Sequence, residues 1–215
     1  MFRIRRVYDD LLPLNRRIIG KVQETLREQF SEIRDKDVDS LPEKLRDPMK
    51  HQFRALLLVA DEPAGHLKGF ALLYHAPDLN FTYLDYVAAA GKMTGRGIGG
   101  ALYQRVREES RLLGSTGLFF ECLPDDPNDC PDGEKLKQNK ARLRFYERYG
   151  ARPLIGNDYT HPPRPGDTCN PYLVYDDLGS GRELPREEAR QVVRAILERK
   201  YGDLCTPEYL SLIHI

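Results

Sequence analysis

The sequence has no excess of charge of either sign: 33 Lys+Arg balance 33 Asp+Glu across 215 residues. Without a global basic field there is no long-range pull on nucleic acid, so DNA or RNA binding would need a local patch. Long apolar runs are also missing. The longest, such as Ala55–Ala60, are strand-sized and fall well short of the ~20 residues of a membrane-spanning helix. The opening Met1-Phe2-Arg3-Ile4-Arg5-Arg6 lacks the apolar core of a secretory leader. Cys122, Cys130, Cys169 and Cys205 show no Cys-x-x-Cys spacing, so neither a disulfide scaffold nor a zinc ribbon is indicated, and a reducing cytoplasm is the expected surrounding. Seventeen glycines and fifteen prolines are too few for a low-complexity or collagen-like chain.

What is present suits a soluble globule, with 40% hydrophobic and 31% charged residues. Residues 2–8 alternate and read as a strand. Pro13 opens an amphipathic helix in which Ile18, Val22, Leu26 and Phe30 recur every four residues. A short helix is expected within 32–51, where Leu41, Leu45 and Met49 keep the same spacing. Phe53–Ala60 and Gly69–His75, joined by Ala64-Gly65-His66, make a hairpin, and Phe81–Ala89 is a further strand. A long helix follows from Ile98 to Leu113, stopped by Gly114. Gly117–Leu123 has the continuous apolar character of a strand buried on both faces. After it come a helix from Glu134 to Tyr149, strands at 151–157 and 172–178, and an amphipathic helix Pro185–Tyr201 carrying Val192, Val193, Ile196 and Leu197. This order predicts an α/β fold: a central mixed, mostly antiparallel sheet of about seven strands with helices on both faces. Residues 1–180 are expected to form one domain and 181–215 a helical extension. The apolar, uncapped end Glu208–Ile215 reads as a truncated or artefactual terminus.

The stretch Thr94-Gly95-Arg96-Gly97-Ile98-Gly99-Gly100-Ala101 lies between a strand and a strong helix. A helix N-terminus exposes unpaired N–H groups and partial positive charge, and glycines let phosphates approach the backbone. Arg96 adds a full charge at the same point. This is not the dinucleotide fingerprint, because the third glycine is misplaced, and no Gly-Lys-Ser/Thr follows to make a Walker loop.

Leu84-Asp85-Tyr86-Val87-Ala88-Ala89, followed by Gly95-Arg96-Gly97-Ile98-Gly99-Gly100-Ala101-Leu102, resembles the strand and acyl-CoA loop of the GCN5-related N-acetyltransferase (GNAT) family. Asn139-Lys140-Ala141-Arg142-Leu143-Arg144-Phe145-Tyr146-Glu147, with Gly150 closing the helix, resembles that family's second signature. The ordered pair is far more specific than either motif alone. Thr94 stands where the family usually has Arg or Gln, which leaves more to the backbone of Gly95–Gly100 and to Arg96.

The resemblance implies acetyl-CoA as co-substrate, no metal, and direct attack of a primary amine on the thioester in a ternary complex. It places Thr94, Gly95, Arg96, Gly97, Ile98, Gly99 and Gly100 at the pyrophosphate, Val87 and Ala89 along the pantetheine arm, and Asn139 and Tyr146 also at the cofactor. Ala89 N–H would polarise the thioester carbonyl, and Tyr146 would protonate the departing sulfur. Two carboxylates compete for the base: Asp85, and Glu121 at the end of Leu118-Phe119-Phe120-Glu121. Asp125, Asp126, Asp129, Asp132 and Glu134 form an acidic loop that would draw cationic amines, whether small or peptidic. Cys122, Cys130, His161 and Cys169 fit no zinc module, and Cys122 reads as a small buried hydrophobe. The alternative is a non-catalytic acyl-CoA-binding regulatory module of a longer protein.

Overall fold

A computed structural model of the protein describes residues 2–30, 33–50, 52–63, 65–90, 97–130, 133–156, 159, 169–202 and 205. Seven strands form a mixed sheet in the order β1-β2-β3-β4-β5-β7-β6. The chain divides into two compact units, Met1–Pro77 with Leu84–Leu113, and Asp78–Tyr83 with Gly114–Ile215. Among the described residues, no helix is long and apolar enough to cross a membrane.

The first unit contains β1 (Arg3–Val7), α1 (Pro13–Gln29), α2 (Asp35–Asp39), α3 (Leu41–Arg46), β2 (Arg54–Asp61), β3 (Leu67–Ala76), most of β4 (Phe81–Ala89) and α4 (Ile98–Leu112). The apolar run Ala55–Ala60 becomes β2. Leu56, Leu57, Leu58 and Val59 are all fully buried, so both faces of this strand are covered. Ile18, Val22 and Leu26 put one face of α1 into the core. On the edge strand β1, Arg3 and Arg5 donate from Nε to the buried carboxylate of Asp61 at 3.1 and 2.9 Å. Arginines along an edge also discourage pairing with another chain.

The single helix expected within 32–51 is two. Ser40 ends α2 and begins α3. The break is at Pro42, which has no N–H to continue the hydrogen-bond ladder. Leu41 and Leu45 are buried, whereas Met49 lies beyond the helix and is exposed.

Gly69 on β3 sets how closely α4 approaches the sheet. A β-carbon there would lie 2.7 Å from the Ala88 carbonyl oxygen, 3.0 Å from Ile98 Cγ2 and 3.1 Å from Leu102 Cδ1. Only glycine leaves room for this contact.

The second unit holds β5 (Gly117–Cys122), α5 (Gly133–Glu147), β6 (Arg152–Pro153), β7 (Tyr172–Asp176) and α6 (Arg186–Tyr201). β5 and β7 pair antiparallel, with Phe120 opposite Val174 and Glu121 opposite Leu173. The strand expected over 151–157 shrinks to two residues, because Pro153 cannot donate to a ladder and β6 is an edge strand. α6 buries Val192, Val193, Ile196 and Leu197 as its periodicity requires. Ion pairs from Arg182 to Glu188 and from Arg199 to Asp78 hold its two ends.

One expectation is overturned. Cys130 and Cys169 form a disulfide, their Cα atoms 5.2 Å apart across 39 positions of sequence. Local spacing cannot reveal a partner so distant in the chain. The bond joins the acidic loop after β5 to the segment leading into β7, and Tyr172 Oη donates to Asp129 at 2.9 Å beside it.

Gly69→Val should lower unfolding stability by about 2–3 kcal/mol through overpacking, read by urea denaturation. Closing a loop of this length by a disulfide contributes about 3–4 kcal/mol, so unfolding with and without dithiothreitol should differ by that amount. The paired Cys130→Ser, Cys169→Ser variant should show no reductant dependence.

Candidate functional site

In the first unit the site is built where β4 ends and α4 begins. In a strand, successive N–H groups point to opposite sides. Ala90 N–H donates to the Lys68 carbonyl of β3 at 2.8 Å, so the N–H and C=O of Ala89, and those of Val87, face away from β3. The Ala89 carbonyl on that side accepts from Gln29 Nε2 of α1 at 2.8 Å. The peptide joining Ala89 to Ala90 is therefore held at both ends. Phe30, just after α1, meets the ring of Tyr86 edge-on at 4.8 Å. Arg17, Lys21, Glu24, His66 and Ala90 contribute to a pocket of about 400 Å³ in this unit.

Gly97 caps α4 in the left-handed region, with φ +74°, a conformation that glycine adopts without strain. Its carbonyl accepts from Ala101 N–H at 2.9 Å, which leaves the N–H groups of Ile98, Gly99 and Gly100 at the open end of the helix. The first turn carries no acidic residue, and a β-carbon on Gly97 or Gly99 would meet nothing within 4 Å among the described residues. An anion can thus come up to the backbone here. This donor set is of the kind that suits an anion such as a pyrophosphate. Thr94, Gly95 and Arg96 lie outside the described residues, as do Asp132 and His161. Asp85 sits on β4 and is half-buried.

In the second unit Tyr146 is buried on α5, its ring 4.4 Å from that of Phe120 and 5.0 Å from that of Phe145. Burial pushes its phenol well above the ordinary value of 10, so it keeps its proton throughout the neutral range. Burial likewise pushes the Cys122 thiol up to about 12, which leaves it a poor nucleophile. Asn139 is buried and donates from Nδ2 to the Pro124 carbonyl at 2.9 Å, fixing the loop between β5 and α5.

Glu121 is the centre of a polar cluster. Tyr159 Oη donates to its Oε1 at 2.5 Å, and Tyr201 Oη reaches Oε2 at 2.9 Å. Lys200 Nζ lies 3.9 Å from Oε2 and donates to Tyr83 Oη at 2.8 Å. Glu121 is legible in the sequence as a candidate, whereas its neighbours Tyr159, Tyr201 and Lys200 are not. The one signal was the fourfold series Val193, Leu197, Tyr201, which puts the tyrosine on the buried side of α6.

The Acetyltransferase (GNAT) family profile matches residues 20–131. Among solved structures, a GNAT-family protein of Bacteroides thetaiotaomicron superposes with a TM-score of 0.66 at 20% identity, covering 93% of this chain and 98% of its own. Salmonella typhimurium yncA, solved with its cofactor acetyl-CoA, gives 0.56 at 16% identity, with 86% and 99% covered. Arabidopsis thaliana NAA60 in complex with acetyl-CoA gives 0.54 at 16%, with 81% and 97% covered. No curated protein sequence matches the chain.

Gly99→Asp puts an anion and a side chain at the open helix end. Calorimetric titration with coenzyme A should show affinity falling roughly fivefold or more. Unchanged affinity would remove this terminus from the site.

Proposed function

The chain belongs to the acetyltransferase (GNAT) family, and we propose that it moves the acetyl group of acetyl-CoA to a primary amine by direct attack, with both substrates bound together. The observation that carries this reading is the acid-free, glycine-capped N-terminus of α4 at the end of a strand whose Val87 and Ala89 backbone groups face away from β3. Bound acetyl-CoA supplies an activated acyl group and a thiolate leaving group. The remaining chemistry belongs to the protein. Backbone N–H groups from Gly97 to Gly100, with Thr94, Gly95 and Arg96, hold phosphate. Val87 and Ala89 hold the pantetheine amides, and the Ala89 N–H stabilises charge that develops on the thioester oxygen. A donor fixed at both ends of the adjoining peptide needs little reorganisation at the moment of reaction.

Tyr146 provides the proton that the departing sulfur needs. A phenol raised by burial retains its proton at neutral pH and acts as a hydrogen-bond donor to the developing thiolate. Asp85 or Glu121 receives the proton from the amine. Asp125, Asp126 and Asp129 add negative potential that concentrates cationic acceptors at low salt. The composition argues for a cytoplasmic enzyme, whereas the Cys130–Cys169 bond argues for surroundings oxidising enough to preserve it. The reductant dependence described above, measured on protein from its native host, decides between them.

Thiol release from acetyl-CoA across a panel of primary amines tests the transfer. Coenzyme A binding without release above background would leave a non-catalytic binding module. Tyr146→Phe should lower kcat roughly 100-fold with little change in the affinity for coenzyme A. Of Asp85→Asn and Glu121→Gln, the variant that loses the acidic limb of the pH–rate profile identifies the base. If both retain it, neither is.

A further inference from the structure

Lys200 lies one residue from the end of α6, yet only 11% of its side chain is exposed. Its ammonium stands 4.5 Å from the ring centroid of Tyr83 and 4.5 Å from that of Tyr201. It donates to Tyr83 Oη at 2.8 Å and faces Glu121 Oε2 at 3.9 Å. Tyr159 Oη and Tyr201 Oη hold that carboxylate in place. Beside Glu121 on β5 lies the neutral Cys122 thiol, on which Arg142 of α5 acts.

An aromatic ring, a phenol oxygen and a carboxylate around one cation are groups that suit an ammonium ligand. As a fold-stabilising device the arrangement is a poor choice. A buried ion pair rarely outperforms apolar packing of similar volume, and the stripe of Val193, Ile196 and Leu197 shows that α6 packs by apolar contact elsewhere.

We propose that Tyr83, Tyr201 and Glu121 form a subsite for a primary alkylammonium group, and that Lys200 is its intramolecular occupant, standing where the acceptor's ammonium binds before transfer. The inference rests on the acetyltransferase reading and names its acceptor class: a primary amine on a slim, unbranched chain, like the butylammonium that Lys200 itself presents. Such an acceptor must displace Lys200, so the lysine multiplies the acceptor's apparent KM by the reciprocal of the fraction of time that the cage is free.

Lys200→Ala empties the cage. With butane-1,4-diamine as acceptor, and thiol release from acetyl-CoA as readout, its KM should fall about fivefold or more below wild type. Lys200→Arg, which keeps a cation on a long stem, should stay near wild type. Aniline, uncharged at neutral pH, should show no such gain. A KM for the diamine that is unchanged or higher in Lys200→Ala overturns the proposal. Lys200→Met replaces the alanine variant if the latter does not fold. Binding is read separately from turnover: butylammonium chloride should raise the melting temperature of the vacated variant more than that of wild type. No difference between them also overturns the subsite. Butylammonium binding without thiol release from any amine would uphold the ammonium subsite and overturn the transferase reading.

Discussion

The contact between Gly69 and the first turns of α4 governs the chemistry available to the first unit. With no side chain at 69, Ile98 and Leu102 settle against β3 close to the Ala88 carbonyl, and the helix begins beside the end of β4. A helix terminus carries only partial charges, and their effect fades within about one turn. It becomes an anion site of use when it is fixed in position and free of competing acids. Burial of Ile98 and Leu102 fixes it, and its first turn carries no acidic side chain.

The same economy applies to the strand beside it. One hydrogen bond, from Ala90 to Lys68, decides which way four backbone groups of Val87 and Ala89 point, because strand geometry alternates strictly. Gln29 then fixes the carbonyl of Ala89 from α1. Family membership supplies the reaction. These contacts supply a physical reason for the part in it proposed for this strand and this helix.

The second unit solves a different problem, that of keeping a carboxylate away from bulk water. Glu121 is surrounded by phenols from Tyr159 and Tyr201 and by the ammonium of Lys200, so α6 contributes to the polar cluster as well as to the core. The disulfide from Cys130 to Cys169 and the bond from Tyr172 to Asp129 tie the acidic loop to the same unit. An ordered loop presents its charges from fixed positions, whereas a loose one offers only an average field.

The local grammar of the chain was enough to place most elements. Fourfold apolar spacing marked α1, α4 and α6, the run at Ala55–Ala60 marked a strand covered on both faces, and Gly114 and Gly150 marked helix ends through their positive φ. The two ordered signatures likewise identified the family, since they encode backbone geometry that short-range sequence must specify. Two local errors, the split at Ser40 and the shortening of β6, come from proline, whose missing N–H outweighs the apolar pattern around it. What the sequence could not reveal was every partnership between distant residues: Cys130 with Cys169, Glu121 with Tyr159, and Lys200 with Tyr83. Such pairs leave no periodic trace, because they arise only when the sheet and the last helix have packed and left particular side chains facing one another.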